Sequence, residues 1–120
     1  MAIFIALGGL MGAAGVALAA AAAHSQSAVR LEPAGYLLVL HAAALVSGVA
    51  ALERALLWRP LGVIALAGFV AGPTLFAADL SLRAFIGQRL FPLAAPSGGA
   101  ISIAAWMILA VAALVAMFRA

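Results

Sequence analysis

Four long apolar stretches constrain this chain more than any other feature of its sequence. They cover residues 3–23, 34–52, 60–78 and 98–118, and all four lack Lys, Arg, Asp and Glu. At about 1.5 Å per residue, a helix of about 20 residues crosses the roughly 30 Å hydrocarbon core of a bilayer. The sequence therefore predicts an all-α fold, a membrane four-helix bundle with short loops and an interfacial segment at 79–97.

The composition supports a lipid environment. Of the 120 residues, 69% are hydrophobic and 8% are charged, whereas soluble domains have about 45–50% apolar and about 25% charged residues. The length allows a single transmembrane domain, residues 1–120. Cysteine is absent, which excludes disulfides and iron–sulfur clusters. The basic residues are all arginines spread along the chain, which indicates headgroup anchors rather than a nucleic-acid-binding patch.

The first apolar stretch has one alternative interpretation, a cleaved signal peptide, since the alanines at 21–23 resemble a cleavage site. No Lys or Arg precedes this stretch, and it exceeds the usual apolar core of about 7–15 residues. We therefore expect a retained helix. Pro33 suits the entry of the second helix, Pro73 is expected to kink the third, and Ser97 can cap the fourth.

Four spans place both termini on one side of the membrane. The arginine count does not orient the chain, because each side carries three. Arg54, Arg59 and Arg119 lie on one side, and Arg30, Arg83 and Arg89 lie on the other.

Small residues predict how the helices pack. Glycines spaced three or four residues apart let helix backbones approach closely where lipid provides no hydrophobic driving force. The alternative is a ligand groove along the same glycines. The predicted packing positions are Gly8, Gly12 and Gly15 in the first span, Gly68 and Gly72 in the third, and Gly98 and Gly99 in the fourth.

Several motifs occur in an order that resembles a known family. They are residues 8–24 (GGLMGAAGVALAAAAAH), 36–41 (YLLVLH), 72–76 (GPTLF) and 96–99 (PSGG), followed by Trp106. Together they are similar to the domain of unknown function 423 family (DUF423), and the resemblance covers nearly the whole chain. It implies four helices in a bacterial inner membrane with cytoplasmic termini, and it implies no established activity.

His41 is the strongest candidate for chemistry, because it lies about 12 Å into the second helix if that helix begins at Pro33. An ionisable side chain at that depth usually faces the bundle interior. Three roles remain open: a neutral imidazole that fixes packing by hydrogen bonding, a contact to a ligand, lipid or cofactor, and proton transfer.

The other candidates belong to the same membrane side as His41. His24 ends the first helix, where histidine can bind free carbonyls. Asp79 and Arg83 have the i, i+4 spacing of an ion pair, and Tyr36 lies near the entry of the second helix. We expect any polar site to combine His24, Tyr36, His41, Asp79 and Arg83.

No catalytic or metal-binding residues are predicted. His24 and His41 differ in depth by about 10 Å, which counts against haem ligation, and no nucleophile–base pair or phosphate loop occurs. The leading hypothesis is a non-catalytic accessory or stabilising subunit of a larger membrane complex, or a homo-oligomer. The alternatives are a lipid- or quinone-binding protein, in which His41 and Tyr36 contact the polar head, and a small channel or proton-linked carrier.

Overall fold

The computed structural model describes residues 1–119 and consists of four α-helices joined by short loops. These are α1 (Ala2–Ala23), α2 (Ala28–Glu53), α3 (Arg59–Ile86) and α4 (Ala94–Arg119). Each helix is long and apolar enough to cross a membrane. The prediction of an all-α bundle of four membrane-spanning helices is therefore confirmed.

The helices run alternately up and down, so the molecule has two ends. At one end, the Trp58 side, the backbone N–H of Trp58 donates to the carbonyl of Ala112 at 2.9 Å. At the other end, the Asp79 side, the Ser27 hydroxyl donates to the carbonyl of Ala84 at 3.5 Å. The loops at 24–27 and 87–93 lie on the Asp79 side.

Helix α2 begins earlier than the predicted start at residue 34. Ala28 is its first residue, and Pro33 lies inside the helix rather than at its entry. Proline at this position removes one backbone donor. Leu31 and Ala34 are fully buried, so the first turns of α2 are held by packing that outweighs the missing hydrogen bond.

The predicted interfacial segment at 79–97 is wrong as a separate element. Helix α3 continues through Pro73 to Ile86, where Gly87 adopts a left-handed conformation (φ 71°) that ends the helix. Helix α4 begins at Ala94 rather than at residue 98. Ser97 therefore lies within the first turn of α4, where its N–H donates to the Leu93 carbonyl at 2.9 Å, and it does not start the helix as predicted.

Helices α2 and α3 form the centre of the bundle. Helix α1 packs mainly on α2, and α4 packs on α3; within residues 1–119, α4 makes no close backbone approach to α1 or α2. Phe69, Leu45 and Leu66 are fully buried between the central helices. This arrangement leaves two lengthwise clefts, one between α1 and α3 and the other between α2 and α4.

Glycines mark the closest helix crossings. A Cβ atom on Gly15 would lie 2.8 Å from the carbonyl oxygen of Gly35, and a Cβ on Gly98 would lie 2.6 Å from that of Gly72. These contacts between α1 and α2 and between α3 and α4 admit no side chain. A Cβ on Gly68 would likewise lie 2.7 Å from the Cβ of Ala105 in α4.

The remaining predicted packing glycines are less tightly constrained. A Cβ on Gly8 would lie 3.1 Å from the side chain of Val46, and one on Gly12 would make only an ordinary contact with Ala42. A Cβ on Gly99 would have no neighbour within 4 Å among the described residues. The predicted packing role of Gly99 within this bundle is therefore wrong.

Candidate functional site

His41 is the centre of a buried aromatic cluster that joins three helices. Its side chain in α2 is 2% exposed. The imidazole ring lies edge-on to Phe69 of α3, with ring centroids 5.5 Å apart, and to Trp106 of α4, at 5.8 Å. The rings of Phe69 and Trp106 are 4.7 Å apart. Such edge-to-face contacts stabilise packing beyond the area they bury.

Two hydrogen bonds determine the protonation state of His41. The indole N–H of Trp106 points at Nε2 of His41 at 3.0 Å, and Nδ1 of His41 lies 2.8 Å from the carbonyl oxygen of Leu37. Because an indole N–H can only donate, Nε2 must accept. Nδ1 must then carry the proton and donate to Leu37. The geometry therefore requires a neutral imidazole with both nitrogens hydrogen-bonded.

The position of His41 along its helix is a second feature of this cluster. Since α2 begins at Ala28, His41 lies about 20 Å from the helix start rather than the predicted 12 Å. This places the ring near the middle of the span, where a charged side chain is costly. Of the three roles left open for His41, the hydrogen bonds favour the packing role.

Asp79 forms the second buried polar cluster, at the end of α3. The residue is 0% exposed. Its Oδ2 accepts from Nη2 of Arg83 at 2.6 Å, and its Oδ1 accepts from the backbone N–H of Leu90 at 2.8 Å. The carboxylate therefore ties the loop at 87–93 to α3. A buried ion pair of this kind requires good geometry and further hydrogen bonds to offset its desolvation.

The five predicted site residues do not form one site. Asp79 and Arg83 are paired, while His41 belongs to the separate aromatic cluster. His24 and Tyr36 are exposed, and their side chains form no hydrogen bond within residues 1–119. Tyr36 is 61% exposed on the outer surface of α2, and it lies about 12 Å from the start of that helix rather than near its entry.

The surface of the bundle has two lengthwise clefts and a basic pocket. The cleft between α1 and α3, which we call the α1/α3 cleft, has a volume of about 400 Å³ and no charged lining residue. The α2/α4 groove has a volume of about 610 Å³ and includes Trp106 in its wall. The basic pocket on the Trp58 side has a volume of about 480 Å³. Its lining is Leu52, Glu53, Ala55, Leu57, Trp58, Arg59, Ala116 and Arg119.

Sequence reasoning missed the partners of His41. Trp106 was noted only as part of a family motif, and Phe69 was not singled out. A histidine and a tryptophan in two apolar spans at similar distances from the Asp79 side were a usable signal, because an indole N–H in lipid requires an acceptor. Gly35, which forms the α1–α2 crossing with Gly15, was also missed.

Comparisons with protein-family models, curated proteins and solved structures find no match to this chain.

Proposed function

We propose that this chain is a non-catalytic membrane protein that acts by lateral contact, either as an accessory or stabilising subunit of a larger membrane complex or as a homo-oligomer. The main support comes from two helical glycines that are not required for helix packing within the described chain. Neither Gly9 of α1 nor Gly99 of α4 would bring an added Cβ within 4 Å of another residue among those described. Gly9 is exposed and Gly99 is half-buried, and a glycine on the outer surface of a membrane helix is suited to a close approach by another helix.

The outer face of α1 extends this feature. Ala13, Ala17 and Ala20 are exposed on the same helix as Gly9. Little of α1 or α4 is buried within the chain, so both peripheral helices offer most of their surface to lipid or to another protein. Ile5 and Val16 are also exposed on this side of α1, so a partner helix can approach the backbone closely at Gly9 and Ala13, between these two larger side chains.

The buried polar groups support a non-catalytic role. Both nitrogens of His41 are hydrogen-bonded, and both carboxylate oxygens of Asp79 accept hydrogen bonds. Neither group is free to act as a general base or to relay protons without breaking these contacts. This argues against the proton-linked carrier. We also propose, from the resemblance to the DUF423 family, that the chain lies in a bacterial inner membrane.

A substitution at Gly9 tests the proposal. The native mass of the gently solubilised protein, together with its co-purifying proteins, is measured for the wild type and for Gly9→Leu. We expect the wild type to migrate as a complex and Gly9→Leu to lose most of that mass while keeping its helicity. Ile3→Leu, on an exposed part of the same helix, is the matched control. A wild-type protein that remains a single free chain after crosslinking would refute the proposal.

A further inference from the structure

The Trp58 side carries a pocket built from two arginines and an indole. The guanidinium of Arg119 lies over the ring of Trp58, 5.4 Å from its centroid. Arg59 lines the same pocket, and its Nη1 donates to Oε1 of Glu53 at 3.2 Å. The lining therefore combines cationic groups with an aromatic residue at the level where membrane proteins meet lipid headgroups.

Both arginines of this pocket have only weak internal partners, so their N–H groups can donate to a ligand. The Arg59 and Glu53 side chains are 61% and 52% exposed, and an exposed ion pair of this kind contributes little stability. Within residues 1–119, Arg119 has a cation–π contact with Trp58 and donates no side-chain hydrogen bond, so its N–H groups can bind an acceptor. Arg83 on the Asp79 side differs, because it is bound to the fully buried Asp79.

The basic pocket adjoins the apolar α2/α4 groove. Leu57 lines both of them, and Ala113 and Ala116 belong to a smaller cavity that bridges the two along α4. From Leu40 to Ala51 the groove measures about 16 Å by helix rise. That length is about half the 30 Å hydrocarbon core, which is the depth of one leaflet.

We propose that the α2/α4 groove and the basic pocket together bind one anionic phospholipid. Its phosphate would contact Arg59 and Arg119, and an acyl chain would lie in the groove against Trp106. The charge on this side favours an anionic headgroup, since Arg54, Arg59 and Arg119 face a single acidic side chain, Glu53. The α1/α3 cleft does not fit this ligand, because it has no cation in its lining.

This assignment moves the lipid site away from the predicted residues. Sequence reasoning placed a lipid headgroup at His41 and Tyr36. In the structure His41 is saturated by hydrogen bonds within the chain, and neither residue lines the α2/α4 groove or the basic pocket. The proposal does not depend on whether the protein is a subunit of a complex.

Quenching of tryptophan fluorescence tests the proposal directly. The chain contains two tryptophans, so Trp58→Phe leaves Trp106 as the single reporter in the groove, while the phenyl ring keeps an aromatic face for the Arg119 guanidinium. This variant is placed in vesicles that contain phosphatidylglycerol and phosphatidylcholine, with the acyl chains of one or the other brominated. We expect brominated phosphatidylglycerol to quench Trp106 more strongly than brominated phosphatidylcholine at the same mole fraction.

Charge variants in this background identify the headgroup contacts. Arg119→Gln is expected to lower the preference for phosphatidylglycerol about fivefold, and adding Arg59→Gln is expected to lower it by a similar factor. Glu53→Gln should raise the preference, because it frees Arg59. Arg89→Gln, on the Asp79 side, is the matched control and should change nothing. Circular dichroism of each variant verifies that it is folded.

Four outcomes would overturn the proposal. The first is equal quenching by the two lipids, and the second is a preference that is identical in all charge variants. The third is the absence of quenching by either lipid together with a doubled native mass, which would mean that a second copy fills the groove. The fourth is relief of quenching by inorganic phosphate at the same phosphorus concentration, which would assign the pocket to free phosphate. Preferential retention of phosphatidylglycerol by the wild type in native mass spectrometry is the expected independent result.

Discussion

Replacing Trp106 by phenylalanine would remove the N–H that donates to Nε2 of His41 at 3.0 Å. The ring contact with Phe69 would largely persist, so the change isolates the hydrogen bond. Hydrogen bonds between membrane helices contribute about 0.6 kcal/mol on average and up to about 1.7 kcal/mol. An unpaired buried acceptor costs about 1–3 kcal/mol. We therefore expect Trp106→Phe to lower the free energy of unfolding by about 1–2 kcal/mol.

A double-mutant cycle separates the hydrogen bond from packing. His41→Phe leaves the indole N–H of Trp106 unpaired and should cost about the same as Trp106→Phe. The double variant replaces both partners with apolar rings, so it leaves neither a donor nor an acceptor unsatisfied. We expect it to be about 1–2 kcal/mol more stable than the sum of the single effects predicts. Unfolding in mixed micelles is followed by far-UV circular dichroism. Tryptophan fluorescence is unsuitable, because both single variants change the aromatic cluster that contains Trp106.

The result that would refute this reasoning is a coupling energy below about 0.3 kcal/mol, the value expected for independent sites. A second measurement tests the protonation state itself. Nitrogen NMR of labelled His41 should show a protonated Nδ1 and an unprotonated Nε2. A proton on Nε2 would mean that the ring cannot accept from Trp106.

Three further predictions concern stability. Gly98→Ala should destabilise the protein by about 1–3 kcal/mol in thermal unfolding, because the new methyl would lie 2.6 Å from a backbone oxygen of α3. The control Gly9→Ala should leave the stability of the free chain unchanged. Asp79→Ala should cost about 1–3 kcal/mol, because it leaves the partly buried Arg83 guanidinium and the Leu90 N–H without their acceptor, and it should expose the loop at 87–93 to limited proteolysis. Leu93→Gly should raise stability by about 1 kcal/mol by relieving the positive φ of 66°, and a lower melting temperature would contradict it.

The sequence was sufficient for the fold because the bilayer limits the alternatives. Uncharged stretches of about 20 residues can cross hydrocarbon only as helices in a chain of this kind. The helix ends were harder to predict, since Pro33 and the charged pair of Asp79 and Arg83 are typical of boundaries. Burial of Leu31, which depends on tertiary contacts, keeps α2 helical around Pro33. The local i, i+4 pair of Asp79 and Arg83, together with the contact of Asp79 to the Leu90 N–H in the following loop, keeps α3 helical beyond residue 78.

The candidate site was harder to predict because side-chain pairing is not visible in a linear sequence. His41 and Trp106 are separated by 65 positions, and their contact depends on the rotation of two helices about their axes. A histidine in a membrane span predicts a partner, but it does not identify that partner.

A count of ionisable residues favours the Asp79 side, whereas the proposed lipid site lies on the Trp58 side. His24, Asp79 and Arg83 lie on the Asp79 side, yet both carboxylate oxygens of Asp79 accept hydrogen bonds there, and the Nε of Arg83 is buried without a partner among residues 1–119. Binding requires groups that are close together and still free to make contacts. Arg59 and Arg119, whose sequence pattern indicates only headgroup anchors, meet this condition because they converge on one pocket and have weak internal partners. The decisive quantity for a small membrane protein is therefore the hydrogen-bonding capacity that remains after folding.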